Sequence, residues 1–270
     1  MYKKIELTKD GVASLEILGL PLFEERQPWI NKSKPALIVV PGGSYMYCSD
    51  REGLPVASQF MAKGYQTFVL NYHVGEASDY PTPLIDLALA VKHVKENASE
   101  YGIDPDNIAL LGFSAGGHLV GTYGALIHNE IFWQDSKMSQ EELSVKHLLL
   151  GYPAINLGPL VRAIQSQDAN ENFGKMFQSY DAIKDGTIMA HKDMPRTFIF
   201  HALDDDVVPA ILTIAHIGRL VDIGVDVEFY MPNTGGHGFA TGDDLTNYGR
   251  SISSRVHDWI GMADAWIKEG

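Results

Sequence analysis

Cysteine, positive charge and long apolar runs are all scarce in this sequence of 270 residues. The only cysteine, Cys48, cannot form a disulfide within the chain, which suits a reducing compartment. Lysine and arginine together number 21 against 34 aspartates and glutamates, and the formal net charge is -13. Because binding to nucleic acid or to an anionic membrane needs clustered positive charge, neither kind of partner is expected.

No stretch approaches the roughly 18 apolar residues of a membrane span, and the start, MYKKIELTKDG, lacks the apolar core of a signal peptide. We therefore expect a soluble, cytoplasmic protein. Internal repeats, low-complexity tracts and Pro/Gly/Ser-rich linkers are also missing. Since 45% of the residues are hydrophobic, the chain can bury a sizeable core, and residues 1–270 are expected to form one domain.

Eight short segments rich in β-branched, aromatic and aliphatic residues predict strands. The first two alternate polar and apolar residues, as a half-exposed antiparallel pair does, whereas the other six are nearly continuous apolar runs, typical of parallel strands covered on both faces. The predicted strands are 3–9, 14–20, 36–41, 66–72, 107–113, 146–152, 196–202 and 227–232.

Helical patterns fill the gaps between these strands, and strand and helix alternate from about residue 36 onward. This alternation predicts an α/β fold with a mostly parallel, eight-stranded sheet and helices on both faces. In such folds ligands bind beyond the carboxyl ends of the strands, so the chemistry is expected there. The predicted helices are 51–64, 83–102, 114–128, 209–224 and 251–269.

Two segments have more than one interpretation. Residues 155–194 are longer than an ordinary crossover, and they form either a packing helix with irregular ends or a small cap-like insert over the site. Phe132 and Trp133 lie in NEIFWQDSKMSQEEL, which is either a mobile flap or an ordinary surface helix.

The sequence GFSAGG at residues 112–117 contains the pattern G-x-S-x-G. The pattern is weak by itself, but here a predicted strand precedes it and a predicted helix follows it, which is the setting of a nucleophile elbow. In that turn, Ser114 would project its hydroxyl above the sheet. Ser114 is therefore the candidate nucleophile.

A serine hydroxyl needs a base within hydrogen-bond reach, and that base needs a third group to orient it. Among ten histidines, His237 lies in NTGGHGF directly after the last predicted strand. Its flanking glycines would let the loop fold towards Ser114, although GGHGF taken alone also fits a flexible turn. His118 is expected to pack against the sheet and His201 to act as a structural hydrogen-bonding group.

The third group is expected at the end of the seventh strand if the chain order is Ser, Asp, His. HALDDDVVP at residues 201–209 lies there and offers Asp204, Asp205 and Asp206. Three consecutive side chains cannot all face one ion, so no metal site is predicted. The residues themselves leave the choice among the three aspartates open.

Acyl transfer passes through a tetrahedral oxyanion that backbone N–H groups can stabilise. Ala115, directly after the candidate nucleophile, would supply one such group. Gly43 and Ser44, in PGGSY after the third strand, are the other candidates. The alternative for PGGSY is a tight turn with no further role.

Together these motifs and the lead-in YPTPLIDLALAVKHVKENASEYGIDPDNIALLGFSAGGHL resemble the α/β-hydrolase superfamily. Within it, they most resemble small carbohydrate-ester hydrolases related to acetylxylan and feruloyl esterases, near the hormone-sensitive-lipase-like branch. The resemblance runs from about residue 35 to the end of the chain. Ser44 replaces the third glycine of the group's HGGG motif and Pro41 replaces its histidine, but neither change removes the N–H at the third loop position.

The resemblance also selects one aspartate. In the family pattern H-G-x-x-D-x-x-V-P the acid stands four residues before the proline, and that position is Asp205. Asp206 would lie near the start of the next helix, where the helix dipole favours a carboxylate, and Asp204 would bind backbone amides within its own loop. The implied triad is Ser114, His237 and Asp205.

The implied activity is that of a serine carboxylesterase for small acyl esters, above all acetyl esters of sugars or xylo-oligosaccharides, with neither metal nor organic cofactor. An amidase of the same fold, similar to an arylformamidase, and a noncatalytic binding protein are the alternatives. Tyr45 and Tyr47 either contact a sugar or aryl group or pack the loop. Arg51 and Glu52 either bind substrate or fix the loop as an ion pair. The sequence leaves a monomer and a homodimer both open.

Overall fold

A computed structural model gives the fold and describes residues 2–20, 33–156, 186–250 and 252–270. Residues 157–185, the larger part of the segment 155–194 for which a packing helix and a cap were both considered, lie outside the described residues. Among the helices within the described ranges, none is both long enough and apolar enough to cross a membrane.

Eight strands lie within the described residues, and they match the eight predicted segments. They are β1 (Tyr2–Glu6), β2 (Ser14–Leu18), β3 (Lys34–Val40), β4 (Gln66–Asn71), β5 (Ile103–Phe113), β6 (His147–Gly151), β7 (Arg196–Phe200) and β8 (Val227–Tyr230). They form one sheet in the order β1-β2-β4-β3-β5-β6-β7-β8. β2 pairs antiparallel with both β1 and β4, whereas all pairs from β4 to β8 are parallel. The predicted mostly parallel sheet is confirmed.

Ten α-helices connect the strands in the described part of the chain. They are α1 (Leu54–Met61), α2 (Thr82–Glu96), α3 (Ala98–Tyr101), α4 (Ala115–Leu126), α5 (Glu130–Ser136), α6 (Gln140–Leu143), α7 (Gly186–Met189), α8 (Ala210–Asp222), α9 (Asp244–Asn247) and α10 (Trp259–Glu269). Short 3-10 turns span Asp50–Glu52, Gly75–Ala77 and Ser254–Asp258.

The single helix predicted over residues 83–102 is divided into α2 and α3 at Asn97. Its φ of -106° and ψ of 20° leave the helical region. The Asn97 side chain donates to the carbonyl oxygen of His93 at 2.8 Å. A short amide side chain competes in this way for the carbonyls that a continuing helix would use, and the prediction missed it.

Two apolar layers cover the faces of the sheet, because successive residues of a strand point to opposite sides. On β3, Ile38 and Val40 belong to the layer that includes residues of α2 and α4. Leu37 and Val39 belong to the layer that includes residues of α1 and α10. Helices therefore cover both faces, as predicted.

The segment 129–143 folds as α5 and α6, and α5 is anchored to the core. Phe132 is buried and packs edge-to-face on Tyr123 with ring centroids 5.8 Å apart. The Trp133 indole N–H donates to the carbonyl oxygen of Ile127 at 2.8 Å. These contacts favour the interpretation of an ordinary surface helix over that of a flap.

Candidate active site

The parallel strands β3 to β8 end at the same edge of the sheet, and the motifs singled out in the sequence follow those ends. The PGGSY loop follows β3, Ser114 follows β5, the aspartate loop follows β7 and the GGHG loop follows β8. The topology therefore places the candidate residues together at one edge.

Ser114 occupies a sharp turn between β5 and α4, with φ 50° and ψ -115°. This conformation is rare for a residue other than glycine and is typical of strain held at functional sites. The strand and the helix approach so closely that a Cβ at Gly112 would collide with the carbonyl oxygen of Gly116, and a Cβ at Gly116 with that of Val40. The two glycines of the motif are therefore required by the turn itself.

A continuous chain of hydrogen bonds joins Ser114, His237 and Asp205. The Ser114 Oγ lies 2.9 Å from His237 Nε2, and His237 Nδ1 lies 2.7 Å from Asp205 Oδ2. Because an ionised carboxylate only accepts hydrogen bonds, the neutral form of His237 that fits these contacts carries its proton on Nδ1 and accepts the serine hydroxyl at Nε2. The structure thus brings the three predicted triad residues together with the geometry of a base and its orienting acid.

The Asp205 side chain has no exposed surface, yet its carboxylate is fully provided with donors. Oδ2 receives His237 and His201, and Oδ1 receives the amide N–H groups of Val207 and Val208 at 2.9 and 2.8 Å. Burial opposes ionisation, but the hydrogen bonds from His201 and His237 outweigh it and hold the pKa of Asp205 well below its usual range. Asp205 is therefore ionised at neutral pH.

His201 is one of those donors, and its own tautomer follows from its contacts. Its Nε2 lies 3.0 Å from Asp205 Oδ2 and 3.0 Å from the carbonyl oxygen of Val208. Since a carbonyl only accepts, Nε2 carries a proton, and a neutral ring then accepts the Thr213 hydroxyl at Nδ1, 2.9 Å away. This is the structural hydrogen-bonding role predicted for His201.

The neighbouring aspartates differ from Asp205 in position. Asp204 Oδ1 accepts the amide N–H of Gly236 at 2.8 Å, so it binds the histidine loop and not, as predicted, amides of its own loop. The amides of Val207 and Val208 already donate to Asp205, so the exposed Asp204 accepts from the next loop instead. Asp206 is exposed near the start of α8.

The loop after β3 has an unusual backbone. Gly43, Ser44 and Tyr45 all have positive φ, at 122°, 56° and 59°. Within the ranges that the structure describes, the amide N–H groups of Gly43, Ser44 and Ala115 donate to no acceptor. They remain candidates for holding an oxyanion.

The two tyrosines of this loop lie in different environments. Tyr45 has no exposed surface, and its hydroxyl lies 2.8 Å from His118 Nδ1, so its ring packs inside the protein. Tyr47 is 62% exposed, and its ring lies beside Gly43. The burial of Tyr45 supports the packing interpretation for that residue, and a contact with substrate is retained as a proposal for Tyr47 only.

Arg51 and Glu52 fix the loops, but not as the ion pair considered from the sequence. Arg51 donates to the carbonyl oxygens of Gly238 and Thr246 at 2.9 and 3.1 Å, which holds the histidine loop. Glu52 is buried and accepts the amide N–H of Gly42 and the hydroxyl of Tyr152. Nothing in the sequence indicated a role for Tyr152, because this residue is the last of a predicted strand and belongs to no motif.

Neither a metal site nor a reactive thiol is found at this edge within the described residues. No group of three or more His, Cys, Asp and Glu side chains there could hold a metal ion. Cys48 is half-buried, and burial raises its pKa to about 11. Its thiol is therefore protonated at neutral pH.

Comparison with known proteins places the chain in a family. The sequence model of the BD-FAE family matches residues 27–215. The chain is 28% identical over 221 residues, 78% of its length, to endo-1,4-beta-xylanase B of Butyrivibrio fibrisolvens, and covers 33% of that protein. It is 27% identical over 250 residues, 86% of its length, to acetylxylan esterase of Xylanibacter ruminicola, and covers 49% of it. The chain thus spans about half or less of the length of these relatives.

The fold has close counterparts among solved structures. MGS-M1, an alpha/beta hydrolase enzyme from a Medee basin deep-sea metagenome library, superposes with a TM-score of 0.78 at 28% identity, covering 100% of this chain and 97% of that one. The likeness extends over nearly the whole of both chains. The chain therefore belongs to the BD-FAE family and has the α/β-hydrolase fold.

Proposed function

We propose that the protein is a serine carboxylesterase that hydrolyses small acyl esters through an acyl-enzyme. One observation carries the proposal: the hydrogen-bond chain from Ser114 through His237 to the buried, ionised Asp205, at 2.9 and 2.7 Å. Membership of the BD-FAE family and relatives named as esterases support it.

In the first half-reaction the Ser114 Oγ attacks the ester carbonyl carbon, and the serine proton passes to His237 Nε2. The new Oγ–C bond leaves a negative charge on the carbonyl oxygen, which the N–H groups of Gly43 and Ala115, with that of Ser44 as the further candidate, would receive. Asp205 stabilises the imidazolium. The C–O bond to the alcohol then breaks, and the alcohol leaves with the proton of His237.

In the second half-reaction, a water molecule attacks the acyl carbon and gives one proton to His237 Nε2. The Oγ–C bond breaks, Ser114 regains the proton from His237, and the carboxylic acid leaves. The net change is the addition of one water across the ester bond. The residues complete this cycle without a cofactor, so turnover should withstand a metal chelator.

For the alcohol part of the substrate, we propose sugars or xylo-oligosaccharides that carry acetyl groups. Support comes from the names of two relatives, an acetylxylan esterase and an endo-1,4-beta-xylanase. Tyr47 offers an exposed ring beside Gly43, where a sugar ring next to the scissile ester could stack.

The test compares wild type with Ser114→Ala on p-nitrophenyl acetate and butyrate, on acetylated xylo-oligosaccharides and on N-formylkynurenine. The loss of the nucleophile should lower kcat by at least about 1,000-fold. Ser58→Ala is the matched control, because Ser58 lies on α1 and donates only to the carbonyl oxygen of Pro55. Unchanged turnover in Ser114→Ala contradicts the proposed nucleophile. If wild type acts on the formamide alone, the amidase is favoured. If wild type acts on none of these substrates, the binding protein is favoured.

A further inference from the structure

A buried chain of hydrogen bonds joins the loop after β3 to the loop after β8. The amide N–H of Ala240 donates to the Tyr152 hydroxyl at 3.1 Å, and that hydroxyl donates to Glu52 Oε1 at 2.7 Å. The other carboxylate oxygen of Glu52 accepts the amide N–H of Gly42 at 2.8 Å. One carboxylate thus connects the loop that carries the oxyanion candidates with the loop that carries His237.

Each end of this chain lies next to a residue of the proposed mechanism. Gly42 directly precedes Gly43, and a Cβ on Gly42 would lie 2.9 Å from the Cβ of Ser114. Ala240 follows His237 by three residues and has a positive φ of 47°. A shift of the Glu52 carboxylate would therefore move the two loops relative to each other.

Tyr152 makes a second contact that its hydroxyl does not explain. Its ring packs edge-to-face against the His237 imidazole, with centroids 4.9 Å apart and an angle of 65° between the planes. Its φ of 33° is rare for a bulky residue, and its amide N–H donates to the carbonyl oxygen of Phe200 at 2.7 Å. A strained backbone of this kind persists only where the surroundings determine it, and it is concentrated at functional sites.

The burial of both side chains gives the connection its rigidity. Tyr152 has no exposed surface and Glu52 is 4% exposed. Burial, together with the neighbouring Glu52 carboxylate, raises the pKa of Tyr152 well above 10, so the hydroxyl stays protonated and donates to Glu52. A buried carboxylate that loses one of its donors has no water to replace it, so each member is needed.

We propose that Glu52 and Tyr152 are positioning residues that set the Gly43 amide and the His237 imidazole at their working separation. This inference rests on the proposed esterase function. The transition state needs both groups at once, because the base takes the serine proton while the amide receives the oxyanion. A misplacement of about 1 Å can cost 100-fold in rate, whereas binding of the ground-state ester depends less on it.

Tyr152→Phe is the main test, because it keeps the ring on His237 and removes only the hydroxyl. We expect kcat for p-nitrophenyl acetate to fall by about 10- to 100-fold with KM changed by no more than about 2-fold. Affinity for butaneboronic acid, which forms a tetrahedral adduct with the serine, should fall in parallel. Tyr123→Phe is the matched control, since Tyr123 is also fully buried and its hydroxyl donates to the carbonyl oxygen of Leu143 at 2.7 Å. It should lower Tm comparably and leave kcat unchanged.

Glu52→Gln tests whether the two residues act through one chain. A glutamine side chain has only one acceptor oxygen. It can therefore replace Glu52 in one of the hydrogen bonds from Tyr152 and Gly42, but not in both through two separate oxygens. The double variant Glu52→Gln/Tyr152→Phe should then lose no more than the worse single variant, within about 2-fold. Losses that multiply would contradict the shared connection.

The results separate this inference from the proposed function. If Tyr152→Phe behaves like Tyr123→Phe, with a lower Tm but wild-type kcat and boronate affinity, the hydrogen bonds are only structural and the inference is overturned. An inactive Ser114→Ala in the same series would leave the esterase function standing. An active Ser114→Ala would instead remove the function and this inference with it.

Discussion

Two buried polar side chains at opposite edges of the sheet differ in their hydrogen-bond partners. At the carboxyl edge, Asp205 is buried with four hydrogen-bond donors, which hold its pKa well below its usual range although burial opposes this. At the amino edge, His147, the first residue of β6, is buried against the ring of Trp266, and neither ring nitrogen has a partner among the described residues. Burial lowers the pKa of His147 to about 4.

The difference shows that burial without hydrogen-bond partners favours the neutral form of a titratable group, whereas burial with such partners keeps the group charged. Nucleophilic catalysis needs the second situation. The loops that follow the strands can supply such partners from their backbone amides, as Val207 and Val208 do. At the amino edge, His147 instead contacts the ring of Trp266, and the positive charges of Lys146 and Arg196 add to the effect of burial on its pKa.

Removing the charge at the carboxyl edge should have the largest effect. Asp205→Asn keeps the shape of the side chain but presents an amide to His237, so the imidazole loses its tautomer and its electrostatic support. We expect kcat to fall about ten-thousand-fold with the fold retained, measured with p-nitrophenyl acetate and by thermal unfolding. The exposed neighbour provides the control, since Asp206→Asn should retain wild-type turnover. A comparable loss of kcat in Asp206→Asn would show that Asp205 is the wrong assignment for the acid.

Acid should destabilise the amino edge next most strongly. The unfolded chain takes up a proton on His147 near pH 6.5, but the folded protein does not until about pH 4, so stability is present above pH 6.5 and lost as pH falls through this window. The loss in the free energy of unfolding between these pH values is roughly 3 kcal/mol at most, and His147→Leu should remove it. Urea unfolding at pH 7 and pH 4.5 measures it. At pH 7 the imidazole is neutral in both states and only packing differs. Equal pH dependence in both proteins would show that His147 finds a partner.

The link between the aspartate loop and the histidine loop should have a smaller effect. Asp204→Ala leaves the amide of Gly236 without its acceptor, one residue before the base, and should lower kcat about 10-fold. Asp204→Asn keeps an acceptor oxygen and should restore most of the rate. If the two variants lose equally, the charge of Asp204 matters and not its hydrogen bond.

The smallest effect is expected at Cys48. This residue tests whether a position at the carboxyl edge is enough to activate a group that lacks suitable partners. This residue lies near the carboxyl edge, yet burial raises its pKa to about 11, and the negative charges of Asp86 and Asp50 act in the same direction. At pH 7.5, iodoacetamide should label the folded protein at least about 10-fold more slowly than the urea-unfolded chain, with the rate rising towards pH 11. Alkylation as fast as in urea would mean that being at this edge is enough to activate a thiol.

Much of the fold could be predicted because it depends on local patterns. The eight strands and five principal helices follow from apolar periodicity, which each segment carries in its own residues. The helix break at Asn97 could not be predicted, because it comes from a single side-chain hydrogen bond.

The candidate site divides in the same way. Ser114 was found from its strand-turn-helix context, and Asp205 was selected only by resemblance to a family pattern. Glu52 and Tyr152 are 100 residues apart in the sequence, and Asp204 and Gly236 are 32 apart. Contacts of this kind depend on loop conformations with no periodic signal. Such contacts form only where the folded sheet brings the loops at its carboxyl edge together.

The close approach of β5 and α4 at Gly112 and Gly116 has a consequence for engineering. Any substitution that adds a side chain at either glycine must rebuild the turn that presents Ser114, so libraries aimed at new substrates should leave both untouched. Met46 and Tyr47 are 52% and 62% exposed, so substitutions of these side chains should leave that turn intact. Directed evolution of this protein should therefore randomise the tip of one loop and keep the turn at Ser114 unchanged.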